Sequence, residues 1–235
     1  MSNQMMHSQD ASSTQLAFVL VVSFFGLVVS SALLRPPVSF VALPSDRRIL
    51  VAFIYDIVCV SGMFAVLFPV ACSKLVGIQS SLPQTSGELR IRATEFLGIQ
   101  ILHGHHTSEE SAKHELFIAG KIFCATCYGL LTGAVLSFTI MTAFALSGWA
   151  GLAGGASEYL LYCIGVAAVV AGLLQIFVPD IGAKTRFISA FVFVLGTVLM
   201  LLATDLLAAN VVSDLFTILL AVFWLLSRMS LSHRS

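Results

Sequence analysis

Residues 124–149 read CATCYGLLTGAVLSFTIMTAFALSGW, and they decide the fold. The run contains no Asp, Glu, Lys or Arg. At about 1.5 Å per residue it can cross roughly 30 Å of hydrocarbon as one helix. Only a helix or a closed barrel satisfies its backbone N–H and C=O groups in lipid, so the run reads as a membrane span. The whole composition agrees. Hydrophobic residues make up 58% of the 235 and charged residues 10%, whereas soluble domains carry about 25% charged residues. So few charges cannot cover a water-facing surface. The formal net charge is zero, which leaves no basic footprint for nucleic acid.

Working outward, five further apolar runs appear. The first, Leu16–Leu34, follows a polar stretch (1–15) that lacks Lys and Arg. A secretory signal would have a basic start and a shorter core, so this run is expected to be a retained first span. Pro36 and Pro37 end it. The second span is expected from Ile49 to about Cys72, the third is the opening stretch, and the fourth runs from about Tyr159 to Val178. The fifth covers Phe187 to about Ala203 and the sixth Val211 to Leu226, with Asp205, Asn210 and Asp214 marking the turn between them. So short a turn also allows one span plus a half-buried hairpin.

The sequence therefore predicts an all-α fold, a polytopic transmembrane helix bundle of about six spans. Its segments are a polar tail (1–15), spans 1–2 (16–72), one long polar loop (73–121), spans 3–6 (122–226) and a C-terminal tail (227–235). Within the loop, Ala93, Phe96, Leu97 and Ile101 fall near helical spacing. They predict a helix over Glu88–Leu102, lying on the membrane surface or packed on the bundle. Lys and Arg set the orientation. With six spans, nine of them (Lys74, Arg90, Arg92, Lys113, Lys121, Lys184, Arg186, Arg228 and Arg234) share a side with both termini, against Arg35, Arg47 and Arg48 opposite. That places both ends and the long loop in the cytoplasm, with the bundle in the cell membrane.

Chemistry gathers where the loop meets span 3. His103, His105, His106 and His114 precede the Cys124-x-x-Cys127 pair, and 17 residues separate His106 from Cys124. Zinc sites use two close ligand pairs joined by about 15–20 residues, each pair holding two corners of a tetrahedron. The expected ligands are His103, His106, Cys124 and Cys127, with His105 and His114 as substitutes. Zinc is the first choice and iron the second. Cys124 is expected in the first helical turn, where the helix dipole and Lys121 favour thiolate over thiol. Thiolate also serves disulfide exchange, with Cys124 attacking and Cys127 resolving. The remaining cysteines, Cys59, Cys72 and Cys163, are expected to be small buried hydrophobes.

Cys124-Ala-Thr-Cys127-Tyr-Gly129-x-x-x-Gly133 resembles the signature of a family of predicted prokaryotic multi-pass membrane proteins of unknown function. That signature is a His-containing element, a Phe and Gly stretch, then Cys-Ala-Arg-Cys-Thr-Gly leading into a membrane helix. Cys124, Cys127, Gly129 and Gly133 match it. Thr126 stands in place of the Arg, Tyr128 in place of the Thr, and His103-Gly-His-His106 in place of an upstream Cys-His-Gln. The resemblance covers about thirty residues of this chain. It implies a shared site architecture and no particular activity.

Gly129 and Gly133 form G-x-x-x-G, which lets a neighbouring helix approach closely, within the bundle or in a homo- or hetero-oligomer. Asp56 lies inside span 2, as a functional acid or as a protonated one bonded to Tyr55, Ser61 or another helix. Glu158, Asp180, Asp205 and Asp214 lie near interfaces and are expected to be solvated or to cap helices. No phosphate loop, nucleophile elbow or HExxH motif occurs. Three functions remain open. They are a metal-binding membrane protein, a membrane thiol–disulfide oxidoreductase, and a non-catalytic subunit of a larger membrane complex.

Overall fold

The computed structural model describes residues 2–34, 45–67, 93–96, 99–102, 115–118, 121–147, 156–175, 178 and 181–232. Six helices dominate: α1 (Ser2–Leu33), α2 (Ser45–Leu67), α3 (Ala125–Ser147), α4 (Ala156–Leu174), α5 (Ala183–Ala208) and α6 (Val211–Ser232). Each holds a stretch long and apolar enough to cross a membrane. The protein is thus an all-α, multi-pass membrane bundle. Helices α3 and α5 begin at one face, here the cysteine face. Helices α2, α4 and α6 begin at the other, the arginine face.

Helix α5 is the centre of the bundle. It packs against α3, α4 and α6, while α2 packs on α3 and α1 on α6. Phe193, Val198, Met200, Leu201, Leu202 and Ala203 of α5 are fully buried. Outward-facing Phe18, Phe24, Phe53, Leu160 and Leu219 are exposed, as befits side chains whose solvent is lipid. A few polar bonds tie helices together: Trp224 Nε1 donates to Ser23 Oγ at 2.9 Å and Tyr162 Oη to Ser30 Oγ at 2.9 Å. Such intramembrane bonds average about 0.6 kcal/mol each, so packing carries most of the cohesion.

Close packing is built on glycine. A Cβ on Gly129 of α3 would strike the Phe187 carbonyl of α5, and one on Gly133 would lie 2.9 Å from Val194 Cβ. The Gly129/Gly133 face is therefore filled by α5 within the chain, which removes it as the proposed docking face for a second chain.

The last two helices are separate spans, which excludes the half-buried hairpin. Ala209 turns the chain in the left-handed region (φ 50°, ψ 30°). The side-chain oxygen of Asn210 then accepts from the Val212 N–H at 3.0 Å, capping α6. This two-residue reversal brings the end of α5 against the start of α6.

Helix α1 starts at Ser2 and α6 continues through Ser232, so the polar ends 1–15 and 227–235 are in part helical, while the stretches apolar enough to cross a membrane are Leu16–Leu33 and Val211–Arg228. Two expectations need correction. Helix α5 extends to Ala208, beyond the expected Ala203. Where a helix is expected over Glu88–Leu102, the described residues instead form an antiparallel ribbon, β1 (Ala93–Phe96) with β2 (Ile99–Leu102). A second ribbon pairs β3 (Glu115–Ile118) with β4 (Lys121–Cys124). In each ribbon a two-residue link ending in glycine (Leu97-Gly98, Ala119-Gly120) joins β-branched and aromatic runs, a hairpin pattern that overrides a brief helical spacing.

Candidate functional sites at the two membrane faces

At the cysteine face, β4 runs directly into α3. Cys124 is the last strand residue and Ala125 the first helical one, so Cys124 stands at the helix entrance and not in its first turn. From there the thiol accepts hydrogen bonds from the Cys127 thiol and from the backbone N–H groups of Cys127 and Thr126. Those N–H groups are among the ones a helix start leaves without an internal partner. The packing of Gly129 against Phe187 draws the start of α5 alongside and brings the Arg186 guanidinium near Cys124. Arg186 is fixed by donating Nε–H to the Ile181 carbonyl at 3.0 Å. The Cys127 S–H above all, then the backbone donors and Arg186, hold the Cys124 thiol well below its ordinary value, at about 6. Cys127 is exposed, and neither cysteine is in a disulfide.

This has a measurable consequence. Since folding lowers the thiol's ionisation point from an unfolded value of about 8.5, the thiolate adds stability that is full above that pH. The contribution is lost as pH falls through about 6. Alkylation of Cys124 by iodoacetamide, followed site by site with mass spectrometry, should reach half its maximal rate near pH 6. Arg186→Gln should move that midpoint upward. A wild-type midpoint near 8.5 would refute the assignment.

The imidazole half of the expected metal site, His103 and His106 with His105 and His114, lies outside the described residues. Among the described residues no group of three or more His, Cys, Asp or Glu side chains gathers as a metal site would require. Of the three lone cysteines, Cys59 is buried, Cys163 is exposed on α4, and Cys72 lies outside the described residues. Within the bundle, Asp56 accepts a hydrogen bond from Thr142 Oγ1 of α3 at 3.0 Å, while its Oδ1 has no partner among the described residues. Its expected neighbour Tyr55 points elsewhere, to Thr197 of α5 at 3.0 Å.

The arginine face holds what the sequence reading missed. Asp205, near the end of α5, and Asp214, in the first turn of α6, are not solvated: both side chains are 0% exposed. Arg47, in the first turn of α2, reaches between them. Its Nη2 lies 2.6 Å from Asp205 Oδ1 and also donates to the Asp205 carbonyl at 3.1 Å; its Nη1 lies 3.6 Å from Asp214 Oδ2. Arg48 Nε is 3.4 Å from Asp205 Oδ2, and its guanidinium lies 5.4 Å from the centre of the Phe144 ring. Glu158, expected to be solvated, is also buried. Back at the cysteine face, Arg228 is buried too, donating to Gly172 O and Gln175 Oε1 at 2.7 Å each.

No protein-family model, no curated protein and no solved structure matches this chain.

Proposed function

We propose that this membrane protein works through the thiols of Cys124 and Cys127 at the cytoplasmic face of the cell membrane, by thiol–disulfide exchange. The observation that carries this reading is the asymmetry of the pair. One sulfur is held as thiolate by hydrogen-bond donors, and the other, exposed one supplies a donor proton to it. The Cys124 thiolate attacks a substrate disulfide and forms a mixed disulfide, and the first substrate thiol leaves with a proton. Cys127 then loses its proton and attacks Cys124 Sγ, which releases the second substrate thiol and closes the Cys124–Cys127 disulfide. Two electrons pass to the substrate, and a cytosolic dithiol restores the pair. The cytoplasmic placement rests on the nine-to-three split of Lys and Arg.

A second reading is favoured by the same thiolate in a reducing compartment, where dithiols stay open to metal. Cys124 and Cys127 would then be half of a zinc or iron site completed by His103 and His106. One experiment separates the two. Protein purified without added metal is assayed for bound metal, and separately for a Cys124–Cys127 disulfide after treatment with a small disulfide. Rapid closure of the pair, abolished in Cys124→Ser and unchanged in His106→Ala, supports exchange. About one zinc per chain, lost in both Cys127→Ser and His106→Ala, supports the metal site and displaces exchange. Neither result would leave the third reading, a non-catalytic subunit.

A further inference from the structure

The acids of the arginine face lie far from the thiols and take no part in their chemistry. Asp205 is well supplied with positive partners, at 2.6 Å from Arg47 and 3.4 Å from Arg48. Asp214 is not. Among the described residues its only cation contact is 3.6 Å, beyond hydrogen-bond reach, and neither of its carboxyl oxygens has a donor. Asp205 Oδ2 also lacks one. Yet the Asp214 side chain is fully buried, and an ionised carboxylate without donors is among the costliest groups to bury. One guanidinium, that of Arg47, reaches both carboxyl groups, at 2.6 Å and 3.6 Å, which sets the two side by side. Two acceptors that face each other and lack a donor are satisfied together by one proton, as adjacent carboxylates that cannot both ionise are.

We propose that Asp205 and Asp214 form a proton-binding pair, in which one proton bridges the two carboxyl groups and Arg47 balances the charge that remains. The other groups facing the pair agree with this. Helix α2 contributes Arg47 and Arg48, the latter directed onto the Phe144 ring, and Asp46, which is exposed at the helix start. Helix α5 adds Thr204, whose hydroxyl is committed to the Met200 carbonyl at 2.8 Å. Helix α6 adds Thr217, committed to the Ser213 carbonyl at 2.9 Å. Neither threonine supplies the donor that Asp214 lacks. Sharing the proton fastens the start of α6 to the end of α5 and, through Arg47, to α2. The ligand is a proton exchanged with the arginine face.

Infrared spectroscopy of the full chain in lipid nanodiscs tests this. At neutral pH the wild-type protein should show the carbonyl stretch of a protonated carboxylic acid, which shifts in D2O and is lost at high pH. Asp214→Asn should abolish that band, and Asp56→Asn should leave it in place. Asp214→Asn, which mimics the protonated form, should keep the wild-type unfolding midpoint, whereas Asp205→Asn should lower it by roughly 10 °C. The proposal is overturned by absence of the band at neutral pH in the wild type. It is equally overturned by a band that survives in Asp214→Asn, or by a midpoint that falls as far in Asp214→Asn as in Asp205→Asn.

Discussion

Arg47→Met should destabilise the folded protein by about 3–5 kcal/mol, the range for removing one partner of a buried ion pair. The side chain of Arg47 is 8% exposed and makes three contacts: the Asp205 carboxylate at 2.6 Å, the Asp205 carbonyl at 3.1 Å and the Asp214 carboxyl at 3.6 Å. Methionine fills a similar volume, so little of the loss will come from packing. What remains is a buried Asp205 whose nearest cation is Arg48 at 3.4 Å. The loss should therefore be recoverable. The double variant Arg47→Met/Asp205→Asn should be more stable than the sum of the two single effects predicts, because it removes the Asp205 carboxylate that Arg47→Met strands. Thermal unfolding of the purified wild type, the two singles and the double completes the cycle. Additive effects would mean that Arg47 acts through bulk alone.

That cluster also shows where the sequence stops being readable. The spans were legible because lipid demands long uncharged runs, and the six runs stand out against Pro, Gly and charge. Acids beside a turn, by contrast, look solvated in one dimension. A subtler signal was present. Arg47 and Arg48 begin a helix, at its positive pole, and Asp205 nearly ends one, at its negative pole. Each charge therefore sits where its own helix disfavours it. Charges misplaced on their own helices point to partners on other helices. The Ala209-Asn210 reversal then supplies Asp214 beside Asp205. At the other face, the Cys-x-x-Cys pair was legible from spacing and the helix start. Arg186 was not, because its approach depends on Gly129 packing against Phe187, a contact between residues 58 positions apart. The β1–β2 ribbon was misread because a few matches to helical spacing weighed more than the glycine-closed link between β-formers.

The same dependence on backbone contact makes Gly165→Val a severely damaging substitution, at about 3 kcal/mol or more. Gly165 of α4 and Gly196 of α5 face each other across the central interface. A Cβ on Gly165 would lie 2.8 Å from the Met200 backbone nitrogen and 2.9 Å from the Gly196 carbonyl oxygen. One on Gly196 would lie 2.8 Å from the Gly165 carbonyl oxygen and 2.9 Å from the Val169 nitrogen. Backbone cannot rotate away as a side-chain tip can, so α4 and α5 must separate. Their separation would also open the contacts of fully buried Met200 and Val169. Gly26 supplies the contrast. The three atoms nearest its added Cβ all belong to Leu220, the closest being Cδ1 at 2.5 Å, and a leucine end can change rotamer. Gly26→Ala should therefore cost less than about 1 kcal/mol, although its nearest contact is the shorter one. Unfolding midpoints of the two variants, measured side by side in one detergent, decide the matter. If Gly26→Ala proves as harmful as Gly165→Val, proximity alone governs the cost; if Gly165→Val is mild, the central helices are not seated on each other's backbone.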